Sequence, residues 1–252
     1  MENKYDCFTG KAEIYSKSWP QFGKQYSCLI KEYATKINAK IAFDIACGTG
    51  LHTKSINTFF DKVYAVEPNI EMLDYCRQNL HAYKNIIYVN TTAEDLQLIN
   101  SYADIIFVAQ AFNLLDHSKV KISFAQKLKR NGLVVIAWNN KTKHPIFNDI
   151  AAVSTRFCPS YDDECYKFQY ASSSLDDFFK FKPRYYKLNS DVPSYLDRNT
   201  FLSRCTSTSY ALDRTNPNFK LYFSELEHIF NNYQENGVIY YPLDTTVYIG
   251  EI

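Results

Sequence analysis

The sequence predicts an α/β fold in which a mostly parallel sheet is flanked by helices. Three observations carry this. Short apolar runs alternate with helical patterns through the first half of the chain, as strands joined by crossover helices do. A glycine turn follows the first of these runs and leads into a helix. The alternation stops after Asn140, and strand-like runs return only near the C-terminus.

Element by element, Tyr26, Leu29, Ile30 and Tyr33 fall at i, i+3, i+4 and i+7 and define an amphipathic helix. Ile41 to Ala46 reads as a buried strand, and Leu51 to Phe60 as the helix after the glycine turn. Val63 to Glu67 is the second strand. Pro68 and Asn69 then open a helix with Met72, Leu73, Cys76 and Leu80 on one face. Ile86 to Val89 and Asp104 to Val108 are the third and fourth strands. Ser118 is a candidate cap for a helix that buries Val120, Phe124 and Leu128. Asn131-Gly132 turns the chain into a fifth strand, Leu133 to Trp138. Residues 141–184 show no clear strand and read as a helical insertion. Tyr185 to Leu188 reads as a strand, Phe219 to Tyr233 as a helix, and Val238 to Ile252 as a terminal hairpin turning around Leu243-Asp244.

Composition narrows the function. The 252 residues carry 28 Lys plus Arg against 27 Asp plus Glu, a balance that argues against a general nucleic-acid binder. The longest apolar stretch, Ile105 to Leu115, is too short to span a bilayer, and Met1 to Lys11 has no signal-peptide core. Seven cysteines without a C-x-x-C pair argue against a disulfide framework or a zinc site and suit reduced thiols in the cytoplasm; no metal is expected. Of the 21 Tyr and 18 Phe, some are expected in the core and others along a pocket, since aromatic walls suit small organic ligands.

The strongest local signal is Asp44-Ile-Ala-Cys-Gly48-Thr-Gly50 at the end of the first strand. Glycines there let the backbone approach a ligand while the next helix points its N-terminus at it. Glu67 ends the second strand, 23 residues after Asp44. Adjacent parallel strands bring both C-terminal ends to one sheet edge, where an acid can accept hydrogen bonds from both hydroxyls of a ribose. The third glycine of a dinucleotide turn and the P-loop signature are both missing, which favours a nucleoside-type ligand without phosphates.

These residues resemble the class I S-adenosylmethionine-dependent methyltransferases. Phe43 to Gly50 is similar to their first motif, and Val66-Glu67-Pro68-Asn69 to their ribose-binding segment. Thr92 to Leu96 is similar to the segment beside the adenine, Ala109-Gln110-Ala111-Phe112 to the fourth motif, and Asn131-Gly132 to the turn before the fifth strand. A narrower resemblance runs along nearly the whole chain, to the methyltransferase type 11 group that includes trans-aconitate methyltransferase-like proteins. It rests on Phe8, Ala12 and Tyr15, on Trp138-Asn139, on Ser207-Thr-Ser-Tyr210 and on Thr245 to Gly250. The chain departs from that group at Asn113-Leu114, where His-Trp is common, and at Trp19-Pro20, where Arg-Pro is common.

The resemblance implies a Rossmann-like, mostly parallel seven-stranded sheet with a C-terminal antiparallel hairpin and a helical lid insertion. It implies one domain over residues 1–252: an N-terminal helical lid (1–36), a cofactor-binding core (37–140), the insertion as substrate lid (141–184), and completing strands and helices (185–252). It implies S-adenosyl-L-methionine as cofactor, contacted by Phe8, Tyr15, Asp44, Ala46, Gly48, Gly50, Glu67, Pro68, Met72, Ala93, Glu94, Ala109 and Gln110. Tyr15, Asn113 and Asn139 are the candidates at the reacting centre: Tyr15 closing over the sulfonium through a cation–π contact, Asn139 offering an amide. His117 and His144 are candidate bases, though each reads more simply as a loop residue. The expected partner is a small-molecule acceptor, acidic ones included, with no nucleic acid or membrane, and the protein a monomer or homodimer. Arg156 and Arg204 can pair with an acidic acceptor, although each reads more simply as a surface arginine. Two other readings stay open. One is an enzyme that cyclises or cleaves the cofactor's aminobutyryl chain and releases methylthioadenosine. The other is a non-catalytic nucleoside-binding partner.

Overall fold

The computed structural model describes residues 5–161, 175, 177–189 and 194–252. Its centre is a seven-stranded sheet. The strands are β1 (Ile41–Ile45), β2 (Lys62–Val66), β3 (Ile86–Val89), β4 (Ala103–Ala109), β5 (Leu128–Lys141), β6 (Arg184–Asn189) and β9 (Leu243–Gly250), in the order β3-β2-β1-β4-β5-β9-β6. The first five are parallel, and β9 runs antiparallel between β5 and β6. β1 and β4 pair at the centre, and the chain leaves β1 toward β2 on one side and β4 toward β5 on the other, so their C-terminal ends border a crevice of the kind where ligands of open α/β sheets bind.

Side chains alternate across the strands and divide the core into two layers. Phe43, Ile45, Ile106, Val134 and Trp138 face one side, with Val120 and Phe124 of α5 (His117–Lys127). Ala42, Phe107, Val135 and Val247 face the other, with Tyr26 and Ile30 of α2 (Lys24–Lys36). The amphipathic spacing expected for α2 is therefore the stripe that it buries. α3 (Leu51–Ile56) follows the glycine turn and continues as a single turn of 3-10 helix, Asn57–Phe59. α4 (Ile70–Leu80) begins where Asn69 was expected to open it: the Asn69 side chain accepts from the Met72 N–H at 3.0 Å.

A third apolar cluster lies over the carboxyl edge of the sheet. It joins α6 (Pro145–Phe157), α7 (Arg198–Thr206) and α8 (Phe219–Tyr233) to the strand pair β7 (Tyr195–Asp197) and β8 (Val238–Tyr240). α1 (Ala12–Ser18) packs against α7.

The structure corrects several expectations. Asp116, not Ser118, caps α5: its carboxylate accepts from the Lys119 N–H, and the Ser118 hydroxyl donates to the same oxygen. β5 begins at Leu128 and carries Asn131-Gly132 inside it as an irregularity, because Ala103 pairs with Leu128 while Ile105 already pairs with Leu133. No hairpin turns at Leu243-Asp244. β8 pairs with β7 in a separate strand pair, while β9 enters the main sheet antiparallel to both β5 and β6. The segment expected to form a lid supplies α6 to the third cluster, while Phe178 and Phe179 pack on the sheet. Most of that cluster comes from residues beyond 184. Residues 162–174 and 176 of that segment lie outside the described residues.

Candidate active site

The turn after β1 places every second residue in the left-handed region: Ala46 at φ 53°, Gly48 at 55° and Gly50 at 84°. Glycine adopts this without strain, and Ala46 does so at a cost. The two glycines serve different ends. A Cβ on Gly48 would meet only Met72 Cε at 3.5 Å, so Gly48 presents bare backbone to open space. A Cβ on Gly50 would stand 2.6 Å from Cys76 Sγ and 2.8 Å from Leu80 Cδ1, so Gly50 lets the turn seat against α4.

Asp44 lies beneath this turn, fully buried. It accepts from Thr53 Oγ1 at 2.5 Å and pairs with His52 Nδ1 at 2.7 Å, while His52 Nε2 meets the Tyr26 hydroxyl at 2.7 Å. The chain fastens α3 and α2 to β1, so the motif's aspartate braces the turn from behind.

Glu67 holds the turn from the front. Its Oε2 accepts from the Gly48 N–H at 3.0 Å and its Oε1 from the Asn69 N–H at 2.9 Å. A carboxylate has about four acceptor positions, so one on each oxygen remains for a ligand. Burial pushes the Glu67 carboxyl up to about 7, against the pull of those two N–H bonds.

Two clefts open here. The first encloses about 920 Å³ of empty space, its open mouth included, and is lined by Phe8, Tyr15, Ala46, Gly48, Glu67, Pro68, Met72, Ala93, Ala109 and Gln110, with Tyr5, Cys7, Ala111, Leu114 and Leu115. The second, about 940 Å³ counted the same way, lies under the third cluster. Asn113, Asn139, Lys141, Ile150, Arg204, Tyr210 and Tyr241 are among its walls. Phe8, Tyr15, Gln110 and Leu114 line both. Gln110 stands at the junction with φ 64°, held by its N–H bond to Ala137 O at 2.8 Å.

Tyr15 stacks on Trp19 with ring centroids 5.2 Å apart and meets Phe8 edge-on at 5.9 Å. Burial, reinforced by the Glu67 charge, holds its phenol well above the ordinary tyrosine range, so it stays neutral. The segment that carries Tyr15 is tied down by protein groups. Trp19 Nε1 donates to Ser207 Oγ at 2.9 Å, Arg204 donates twice to Ser18 O, and Lys11 Nζ donates to the carbonyls of Thr208 and Ala211.

Ten of the thirteen expected cofactor contacts thus line the first cleft, and Tyr15, Asn113 and Asn139 line the second. Asp44 and Gly50 do not line either: the first braces the turn and the second packs it. Glu94 is also off the first cleft's wall, its carboxylate accepting from the Tyr5 hydroxyl and the Asp116 N–H. His117 bonds the Phe112 carbonyl and His144 caps α6, and neither lines a cleft. Arg156 is a surface residue beside Glu225. Arg204 is not: only 3% of its surface is exposed. Tyr5, Cys7 and Tyr241 were not anticipated, and nothing in their local spacing marks them.

Residues 43–136 match the family model described as a methyltransferase domain. Over those residues the chain is similar to methyltransferase domains. Uncharacterized methyltransferases of Mycobacterium tuberculosis and Mycobacterium bovis are 32% identical over 104 residues, a match spanning 41% of this chain and 41% of their own length. A putative type II methyltransferase from Anaeromyxobacter dehalogenans superposes with a TM-score of 0.62 at 15% identity, covering 92% of this chain and 97% of that one. A putative methyltransferase from Bacillus halodurans gives 0.54 at 14% identity, covering 90% and 97%. At such identities the likeness is one of fold. Among the described residues, no helix is long and apolar enough to cross a membrane.

Proposed function

We propose that the protein binds S-adenosyl-L-methionine in the first cleft and transfers its methyl group to an oxygen or nitrogen of a small molecule held in the second. One observation carries the reading: the two clefts differ in their polar walls and meet at Tyr15 and Gln110. When bound, the cofactor supplies a methyl group already activated by a positive sulfur, so alignment is the main demand on the protein.

The residues fit that group. Glu67 keeps an acceptor position on each oxygen for the two hydroxyls of a ribose. Pro68, Met72 and Ala93 offer apolar surface for a planar base. Ala46 and Gly48 admit close approach of a ligand to the backbone. Tyr15, neutral and rich in π-electrons, stands where the clefts join and suits a cationic neighbour. Asn113 and Asn139 orient the acceptor from the far side. A cytoplasmic setting suits seven cysteines without a C-x-x-C pair.

The test is incubation of the pure protein with S-adenosylmethionine, with and without a panel of small acceptors. S-adenosylhomocysteine that forms only with an acceptor is the expected result. Methylthioadenosine released without one would make the cofactor the substrate, and the absence of binding would leave a non-catalytic protein.

A further inference from the structure

We infer that Cys47 and Cys76 are a reversible disulfide site beneath the glycine turn, through which a peroxide weakens ligand binding in the first cleft. The bond itself rests on the thiol pair alone, and its effect on the cofactor rests on the reading proposed above.

Both residues are free thiols. They meet between the turn and α4, in one apolar cluster with Ala65, Leu73, Leu80 and Ile86. The Cys47 thiol is hydrogen-bonded to that of Cys76. Cys76 is fully buried on the face of α4 against which Gly50 seats.

The two thiols are unequally placed. A third, smaller cleft shares Tyr15, Ala46, Gly48, Ala109 and Gln110 with the first, and Cys47 lines it. Cys76 lines none of the three clefts. A small oxidant therefore meets Cys47 first, with Cys76 behind it as the resolving thiol. The Cys47 sulfur attacks one oxygen of hydrogen peroxide, the O–O bond breaks, and Cys47 becomes a sulfenic acid with release of water. The Cys76 sulfur then attacks the Cys47 sulfur. The S–S bond forms, and the sulfenic hydroxyl leaves with the Cys76 proton as a second water. The two thiols have lost two electrons, and the peroxide has gained them. Burial, the contact with Cys76 and the nearby acids hold the Cys47 thiol well above its ordinary range. Little of it is thiolate at neutral pH, so the site answers sustained exposure and not a brief pulse.

The bond must disturb the turn. It draws two hydrogen-bonded sulfurs to about 2.05 Å. α4 is anchored by Met72, Leu73 and Leu80, whereas the turn holds two glycines and yields more easily. The Cys47 N–H donates to Val66 O at 3.0 Å, and its carbonyl accepts from the Gly50 N–H at 3.0 Å. The adjacent Gly48 N–H donates to Glu67. Pulling Cys47 toward α4 strains all three bonds and shifts the wall that faces the ligand. By reciprocity, a ligand that holds the turn in place opposes the oxidation.

The experiment exposes reduced, ligand-free protein to hydrogen peroxide, blocks remaining thiols with N-ethylmaleimide in denaturant, and maps the peptides by mass spectrometry. Calorimetry measures S-adenosylhomocysteine binding before exposure, after it, and after dithiothreitol. A peptide pair linked through Cys47 and Cys76 is expected, with affinity lowered at least about tenfold and recovered on reduction. S-adenosylhomocysteine present during exposure should slow the linkage. Cys76→Ala should bind S-adenosylhomocysteine when reduced, form no such link, and oxidise at Cys47 beyond the sulfenic stage, so that dithiothreitol no longer restores binding. Exposed Cys28 reports that the oxidant has acted. Oxidation of Cys28 without the Cys47–Cys76 link overturns the inference. So does a link that leaves affinity unmoved, or an equally reversible loss in Cys76→Ala, which would assign the effect to another cysteine. The wild-type peptide map carries the test should Cys76→Ala not fold. If reduced wild type does not bind S-adenosylhomocysteine, the methyltransferase reading falls, and the linked peptide alone decides the disulfide site.

Discussion

The cleft over the glycine turn and the cleft under α6 and α7 share Phe8, Tyr15, Gln110 and Leu114, yet they are built by opposite means. The first takes its polar character from one acid, Glu67, and from backbone bared by left-handed residues. The second takes its character from cationic and amide side chains, Arg204, Lys141 and Asn139, with no acid among its described walls. An acid lines the side proposed for a cationic cofactor, and cations line the side proposed for its acceptor. A cationic ligand that strays into the second cleft meets like charge, so the difference helps to keep the cofactor in the first.

The contrast can be broken from either side. Gly48→Val has the largest expected effect. It puts a β-branched residue at φ 55° in the wall of the first cleft, and calorimetry should find S-adenosylmethionine binding lost while circular dichroism stays near wild type. Retained tight binding would put the cofactor elsewhere. Gly50→Val sharpens the point: crowding against Cys76 and Leu80 should lower the melting temperature.

Glu67→Ala comes next, with a loss of about 1.5–3 kcal/mol in cofactor affinity, the range for hydrogen bonds to a charged group.

A smaller effect follows from the raised Glu67 carboxyl. Its ordinary value is 4.5 and the folded protein holds it near 7. Between those values the folded state keeps a proton that the unfolded chain has released, so this group makes the ligand-free protein less stable as pH rises through the window. Denaturant melts at pH 5 and 7 should show the slope, and Glu67→Gln should flatten it. Ribose hydroxyls favour the ionised acid, so cofactor affinity should fall as pH drops below about 7. An affinity constant from pH 5 to 8 would contradict this.

The smallest expected effect belongs to Trp19→Phe, which loses the bond to Ser207 but keeps a ring beside Tyr15. It should cost about 1 kcal/mol of stability by denaturant titration and leave cofactor binding in place.

What the sequence revealed divides along the same line. The first cleft is assembled from strand ends and the turns after them, where backbone demands leave marks: glycine at Gly48, an acid closing β2 at Glu67, Asn69 capping α4. The alternation of strand and helix placed these marks at one sheet edge. Asp44 and Gly50 are expected as contacts from the motif, yet neither lines a cleft: Asp44 is bonded to His52 and Thr53 and Gly50 seats the turn against α4, packing that a local pattern does not show. The second cleft left few marks. Arg204 looks like any surface arginine until α1 folds over it. The expected hairpin failed for a related reason: alternation over Val238 to Ile252 shows strands but not their partners, and β8 found β7 while β9 entered the main sheet.

The bonds from Lys11, Ser18 and Trp19 to the segment around Arg204 to Ala211 join residues 186 to 200 positions apart. On the ribosome, α1 is made first and its partner helix α7 long afterwards. Through most of synthesis, the helix bearing Tyr15 has nothing to dock against, while β1, β2 and β4 already have their neighbours. The glycine turn and Glu67 can thus take shape on a nascent chain that still has no acceptor cleft, and the wall shared by both sites is among the last parts of the molecule to close.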